Sequence, residues 1–293
     1  MTSEATDQLR GVYVASVTPF RDDDRFSLDV DAYLGHVRWL ADAGVHGIVA
    51  FGTNGEGPSV SASEKREALS ALVGGTSLPV IATVAEANLP DALDLLRFLD
   101  DLPVAAVMVL PPYYFKPAET PGLRVFYERV LAATRHPVIA YHIPKYAVPV
   151  PAEIVTSLPV WGVKDSGGEP GYAEAVAGGG RGVLLGTEDD LPRRLPAAQG
   201  SISALANIAP ELVVRLHDAI CGGATEDAAQ LSAHLQRLRS LTKEYASPGV
   251  LKRVASERHG HPMGTVRPPL VPLPADYDAA AALPLASGEV LGV

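Results

Sequence analysis

The sequence predicts a (β/α)8 barrel with a C-terminal helical extension. Eight short apolar, β-rich runs alternate with eight helical runs along most of the chain. The short runs are apolar on both faces, the pattern of a parallel sheet covered by helices. The eight units occupy about 220 residues, the span of a single such barrel. A doubly wound open sheet is the alternative. It usually has fewer strands, and its dinucleotide-binding form needs a glycine fingerprint that this chain lacks.

Strands are expected at Val12–Val17, Gly47–Phe51, Val80–Val84, Val104–Leu110, Val138–Tyr141, Val160–Lys164, Val183–Gly186 and Ser201–Ala204. Helices are expected between and after them, at Asp29–Ala43, Ser63–Val73, Pro90–Asp100, Thr120–Ala133, Pro151–Ser157, Pro170–Ala177, Asp189–Ala197 and Pro210–Ile220. The first carries Val30, Tyr33, Leu34, Val37 and Leu40 on one face at helical spacing. After Gly222-Gly223 the alternation stops. Thr225–Tyr245 reads as a long helix with Ala228, Leu231, Leu235, Leu238 and Leu241 on one side, and Pro248–Glu257 as a shorter one. Arg267 to Leu273 is extended and Ala275–Leu285 is a last helix. The division is therefore a catalytic barrel over residues 1–223 and a helical extension over 224–293.

Bulk properties exclude several classes. The chain has 293 residues, 47% of them hydrophobic and 20% charged, ample for one sizeable core. A net charge of −10 argues against a nucleic-acid surface. Charges and prolines interrupt every apolar stretch well before a membrane span. The Met1–Arg10 segment is polar and acidic, unlike a signal peptide, and a lone Cys221 makes no internal disulfide. These features point to a cytoplasmic protein. Cys221, at a helix end beside Gly222, reads as inert packing.

In a barrel of this kind chemistry gathers at the C-terminal strand ends. The run Leu158 to Val163 leads into Lys164, followed by small residues. A lysine ending a buried strand loses hydration, which disfavours its charged form. Such an amine can attack a carbonyl and form a Schiff base. Alternatively it snorkels to solvent. The second strand ends in Phe51-Gly52-Thr53-Asn54-Gly55-Glu56-Gly57. That turn is either a backbone nest for a carboxylate or a plain turn needing positive φ. It is not a Walker motif, because no Gly-Lys-Ser/Thr follows. The fourth strand ends in Pro111-Pro112-Tyr113-Tyr114-Phe115, a rigid loop presenting aromatics to a site or a subunit contact. The fifth ends in Tyr141-His142-Ile143-Pro144, where a phenol can pass a proton or simply hydrogen-bond at the rim. Thr53, Tyr141 and Lys164 can converge at one mouth.

In this order and spacing the motifs resemble the pyruvate-dependent class I aldolases and lyases typified by dihydrodipicolinate synthase and N-acetylneuraminate lyase. The resemblance runs nearly end to end. It rests on Val17-Thr18-Pro19-Phe20, residues 52–56, Pro112-Tyr113-Tyr114, Tyr141-x-x-Pro144, Gly162-Val163-Lys164-Asp165, Gly200-Ser201-Ile202-Ser203 through Asn207, and Val266 to Leu270. It implies that Lys164 forms the Schiff base with pyruvate or a substrate keto group. It also implies that Tyr141 donates and accepts the proton and that Thr53 relays to it. Tyr114 would complete the relay from a neighbouring subunit of a homotetramer, a dimer of dimers. Thr53, Asn54, the backbone at Ile202 and Ser166 would hold the keto acid, and Gly186 would let it approach closely. No cofactor and no metal are implied.

Two departures narrow the reaction. In dihydrodipicolinate synthases an arginine follows the Tyr-x-x-Pro proline by two residues and binds the second substrate's carboxylate. Here Tyr146 stands there, preceded by Lys145, which lacks the guanidinium fork. Asn54 replaces the second threonine of the usual turn and resembles the hydroxy-oxoglutarate and deoxy-sugar-acid aldolase branches. The expected reaction is cleavage of a 4-hydroxy-2-oxo acid, such as a 2-keto-3-deoxy sugar acid, to pyruvate and an aldehyde. Dihydrodipicolinate synthase activity, a dehydratase on the same scaffold, and a non-catalytic keto-acid-binding barrel are the alternatives.

Other polar groups read as structural. Glu86, after the third strand, either reaches a hydroxylated substrate tail or, the favoured reading, faces solvent. Glu188, Asp189 and Asp190 precede a helix, where acidic residues favour its start. Asp22 to Asp24 form a solvated loop, and His259-Gly260-His261 is too close-spaced and isolated for a metal.

Overall fold

The computed structural model describes residues 9–243, 245 and 247–289. Residues 1–8 of the acidic N-terminal segment, and 290–293 of the extension, lie outside the described residues. The eight strands are β1 (Gly11–Ala15), β2 (Gly47–Ala50), β3 (Val80–Val84), β4 (Ala106–Val109), β5 (Val138–His142), β6 (Gly162–Asp165), β7 (Gly182–Leu185) and β8 (Gly200–Ser203). They close into one barrel in sequence order, every neighbouring pair parallel. The predicted (β/α)8 barrel is therefore the observed fold, with no strand end displaced by more than two residues.

Helices α1 (Val30–Asp42), α2 (Ala62–Gly75), α3 (Leu89–Leu99), α4 (Thr120–Leu131), α5 (Ala152–Ser157), α6 (Tyr172–Gly178), α7 (Leu191–Arg194) and α8 (Pro210–Cys221) follow the strands. Local chemistry starts several of them. Asp29 caps α1 through the Ala32 amide, Ser61 and Glu64 form a capping box on α2, and Asn88 caps α3 through the Asp91 amide. The apolar faces of the helices and the outer faces of the strands form one core layer. A second cluster, including Tyr13, Ile81, Met108, Ile139, Leu184 and Ile202, fills the barrel interior.

The floor of that interior shows why several strands begin with glycine. A Cβ on Gly47 would lie 2.3 Å from the Tyr13 ring, and one on Gly182 would lie 2.4 Å from Trp161. The missing side chains make room for two large aromatic plugs, both almost wholly buried. At the other end Asn207 closes the β8–β1 seam. Its Oδ1 accepts from the Val17 amide at 3.0 Å and its Nδ2 donates to the Ala15 carbonyl at 2.8 Å.

Beyond the barrel lie α9 (Thr225–Leu241), α10 (Ser247–His259) and α11 (Leu283–Ser287). α9 stops short of the expected Tyr245; the Thr242 hydroxyl donates to the Arg239 carbonyl there, a local bond that competes with helix continuation. The helix expected over Asp189–Ala197 is instead the short α7 followed by a 3₁₀ turn, Leu195–Ala197. The one expected over Ala275–Leu285 is a 3₁₀ turn, Ala279–Ala281, and then α11. Prolines 192, 196 and 284 lack the amide that a continuous helix needs. No described helix is long and apolar enough to cross a membrane.

Three further expectations are corrected. Cys221 is exposed, with its sulfur 3.7 Å from His217 Nε2, because α8 buries the face carrying Leu212, Val213 and Leu216 instead. Glu86 does not face solvent; its Oε1 accepts from the buried Lys65 ammonium of α2 at 2.5 Å. Glu188 does not serve a helix start but is buried, accepting from Ser203 Oγ and the Leu205 amide. Asp190 occupies the N-cap position of α7 without a capping bond and pairs with Arg193. Asp22 to Asp24 are exposed as expected.

Candidate active site

Lys164 is the third residue of β6 and Tyr141 the fourth of β5, and the parallel register sets them side by side. Lys164 is 4% exposed, so the ammonium does not snorkel free of the barrel. Its Nζ donates to the Tyr141 hydroxyl at 3.3 Å. That hydroxyl also lies 2.9 Å from Thr53 Oγ1. An amine, a phenol and an alcohol thus form one hydrogen-bonded chain at the C-terminal strand ends.

The turn carrying Thr53 and Asn54 is held from outside the barrel. Thr18 Oγ1 donates to the Gly55 carbonyl at 2.7 Å. Positive φ falls on Phe51 and Glu56 rather than on the glycines of the turn. Glu56 is fixed there by Lys252 of α10, 2.6 Å from its Oε1, and by the Arg267 amide, 2.8 Å from its Oε2. Burial pushes the Lys252 ammonium down to about 8, against the opposing pull of Glu56. Arg267 also reaches the Phe26 and Ser59 carbonyls and Glu64. The Val266-to-Leu270 motif therefore braces the turn that presents Thr53.

Two cavities lie near these strand ends, one beginning at Ser166, two residues after Lys164, and one reaching Thr53. One of about 400 Å³ is walled by Ser166, Gly186, Thr187 and the loop 167–171, and closed by Arg193, Arg194 and Arg239. All three arginines are engaged. Arg194 pairs with Asp165 at 2.5 Å, Arg193 with Asp190, and Arg239 with Glu188 at 2.8 Å and Asp189 at 3.3 Å. The other cavity, about 380 Å³, is lined by Thr53, Leu110, Tyr113, Tyr146 and Leu270.

Of the residues expected at the site, Lys164, Tyr141 and Thr53 meet directly. Asn54 follows Thr53, half-buried. Gly186 and Ser166 face each other so closely that a Cβ on Gly186 would lie 2.1 Å from Ser166 Oγ. Ile202 sits in the barrel interior. Tyr114 is not brought to the group within this chain. It is 81% exposed, packed edge-on against the equally bare Phe115. Tyr113, its neighbour, turns inward instead, and burial together with Glu86 raises its phenol above the ordinary range. Arg239, Arg194 and His142 escape sequence reasoning, because their partners Glu188, Asp165 and Tyr172 lie on other βα units.

The described residues hold no group of three or more His, Cys, Asp or Glu side chains arranged to bind a metal. His259 and His261 are nonetheless not isolated. His259 Nε2 lies 3.1 Å from Nδ1 of the buried His36, whose Nε2 meets Asn207 at 3.1 Å. This packed stack clasps α10 to α1, away from Lys164.

The comparisons with known proteins bear on family and fold. An uncharacterized DapA-like lyase of Chloroflexus aurantiacus is 33% identical over 284 residues, covering 92% of this chain and 94% of that one. A 4-hydroxy-tetrahydrodipicolinate synthase of Methanothrix thermoacetophila is 30% identical over 281 residues, covering 92% and 94%. The solved structure of KD(P)GA from T. tenax superimposes with a TM-score of 0.86 at 25% identity, covering 97% of this chain and 99% of that one. With the model of the dihydrodipicolinate synthetase family matching residues 8–284, the chain belongs to that family of pyruvate-dependent class I aldolases and lyases.

Proposed function

We propose that the protein reversibly cleaves a 4-hydroxy-2-oxo acid of the 2-keto-3-deoxy sugar acid type to pyruvate and an aldehyde. The Lys164–Tyr141–Thr53 chain, at 3.3 and 2.9 Å, carries the proposal. The Lys164 amine adds to the C2 carbonyl, and the carbinolamine loses water as Tyr141 supplies a proton to the departing oxygen. Tyr141 then takes the proton from the C4 hydroxyl. The C3–C4 bond breaks, its electron pair passes into the iminium, and the aldehyde leaves. Protonation of the enamine at C3 and addition of water at C2 release pyruvate and regenerate the amine. Thr53 passes protons between Tyr141 and the mouth. Asn54, Ser166 and the Ile202 backbone are the proposed keto-acid contacts. Tyr114 is proposed to enter the site of a neighbouring subunit in a homotetramer.

The state of the arginines favours an uncharged, hydroxylated aldehyde half. Each guanidinium lining the larger cavity is neutralised by a carboxylate of the chain. A second substrate carboxylate would have to displace one of them. Condensation of pyruvate with aspartate semialdehyde is the second reading, favoured by the synthase relatives. A candidate cation for it at the rim is Lys145, which is exposed and stands 4.9 Å over the Tyr146 ring.

The test is borohydride trapping with pyruvate followed by peptide mass spectrometry, with Lys164→Ala as control. A reduced pyruvyl adduct on Lys164 is expected. A well-folded wild type without adduct overturns the Schiff-base mechanism and leaves a keto-acid-binding barrel. Product analysis separates the reactions: pyruvate and aldehyde for the aldolase, a dehydrated keto acid for a dehydratase, consumption of aspartate semialdehyde for the synthase.

A further inference from the structure

His142 follows Tyr141 as the last residue of β5 and is 1% exposed. Its ring is clamped. Nδ1 accepts the Val150 amide at 3.1 Å, and the ring stacks on Tyr172 at 4.0 Å between centroids with a 16° tilt. Tyr172 is itself tied to the Val150 carbonyl at 2.7 Å. Because Nδ1 is an acceptor, the neutral ring carries its hydrogen on Nε2. Burial holds the imidazole below its ordinary range, despite the opposing pull of Asp165 and Glu169, so the neutral form is the resting one.

That Nε2–H is buried and has no hydrogen-bond partner. Native proteins rarely leave a buried donor so. One carboxylate stands just out of reach: Glu169 Oε2, at 3.6 Å. Glu169 is 54% exposed and rides the segment from Ser166 to Gly171, which holds three glycines, two of them at positive φ. The base of this segment is fixed. The Ser166 amide donates to the His142 carbonyl at 2.8 Å, and the Gly167 amide to Asp165 Oδ1 at 3.0 Å. Its remainder walls the 400 Å³ cavity beside Ser166 and Gly186. A rigid, waiting donor therefore faces a hinged acceptor across a gap of a few tenths of an ångström.

We propose that His142 is a positioning residue and that its Nε2–H and Glu169 form a latch, which draws the 167–171 segment over the keto acid once the cavity is filled. The inference rests on the aldolase reading of the same site. The latch acts on the aldehyde half, which the cavity would hold, and not on imine formation at Lys164.

The experiment compares wild type, Glu169→Ala and Glu169→Gln, all at an exposed position that folding tolerates. For cleavage of 2-keto-3-deoxygluconate, Glu169→Ala is expected to raise KM about tenfold, the scale of one charge-assisted hydrogen bond, with kcat much less affected. Glu169→Gln is expected to restore most of the affinity, because an amide oxygen accepts the same N–H. After borohydride fixes pyruvate on Lys164, addition of glyceraldehyde is expected to slow amide exchange across residues 167–171 in wild type but not in Glu169→Ala. Equal KM and equal exchange in wild type and Glu169→Ala overturn the latch, as does a Glu169→Gln variant as impaired as Glu169→Ala. A wild type that is not trapped by borohydride overturns the aldolase reading and the latch with it. Trapping without any effect at Glu169 removes the latch alone.

Discussion

Tyr141 stands between an amine and an alcohol, and its neighbours fix what each can do. The phenol accepts from Lys164 and shares a hydrogen with Thr53, so proton transfer needs no rearrangement of the resting site. Tyr141→Phe is expected to lower kcat by roughly 10²–10⁴, the usual worth of a positioned acid–base group, with an unchanged melting temperature. Gly186 is the opposite kind of residue, defined by what it lacks. Gly186→Ala would drive a methyl into Ser166 Oγ, 2.1 Å away, and is expected to cost about 1–3 kcal/mol by urea unfolding. Pairing it with Ser166→Gly is expected to recover only part of that loss, because the Asp165 carbonyl would still lie 2.9 Å from the new methyl. Lys164 and Tyr141 were legible from sequence because each ends an apolar run, a local property. The partners of Glu86, Glu188 and His142 were not. Lys65, Arg239 and Glu169 meet them only after the barrel closes, and a surface glutamate and a buried one look alike in a string of letters.

Helices α1 and α10 meet through the imidazoles of His36 and His259, and this clasp ties the extension to the barrel. Burial pushes His36 down to about 3 and His259 to about 4, each ring also disfavouring charge on the next. Both are neutral when folded at a pH where an unfolded imidazole, near 6.5, takes up a proton. Unfolding then binds protons, so stability falls as the pH drops below about 6.5 and continues to fall toward about 4. Thermal melts across that window are expected to show the loss, and His259→Gln is expected to reduce it while the His36 share remains. The short elements carry a separate lesson. The segment from Asp189 to Ala197 has helical composition, but Pro192 and Pro196 break it into pieces too brief for periodicity to register. Those pieces place Arg193 and Arg194 at the cavity. Strand periods, by contrast, were readable to within two residues, because parallel strands buried on both faces leave little ambiguity.

At the scale of the molecule, the unusual surface is the β4–α4 loop. Tyr114 and Phe115 are 81% and 79% exposed, two large rings packed edge-on. Such a pair suits the subunit contact proposed for Tyr114. Tetramers are typical of the family, and sedimentation is expected to give a mass of four 30.7 kDa chains. Tyr114→Ala with Phe115→Ser is expected to shift the protein toward smaller species and to lower kcat. A monomeric, fully active wild type would rule out any relay between subunits.

The aromatic floor of the barrel bears on the timing of the proposed reaction. With Tyr13 and Trp161 filling one end, the proposed substrates would come and go at the other. In the proposed reaction a keto acid bonded to Lys164 would lie inboard, with its aldehyde portion toward the exit. Arrival and departure are then a queue: pyruvate enters before an aldehyde can follow, and the aldehyde must leave before pyruvate is freed.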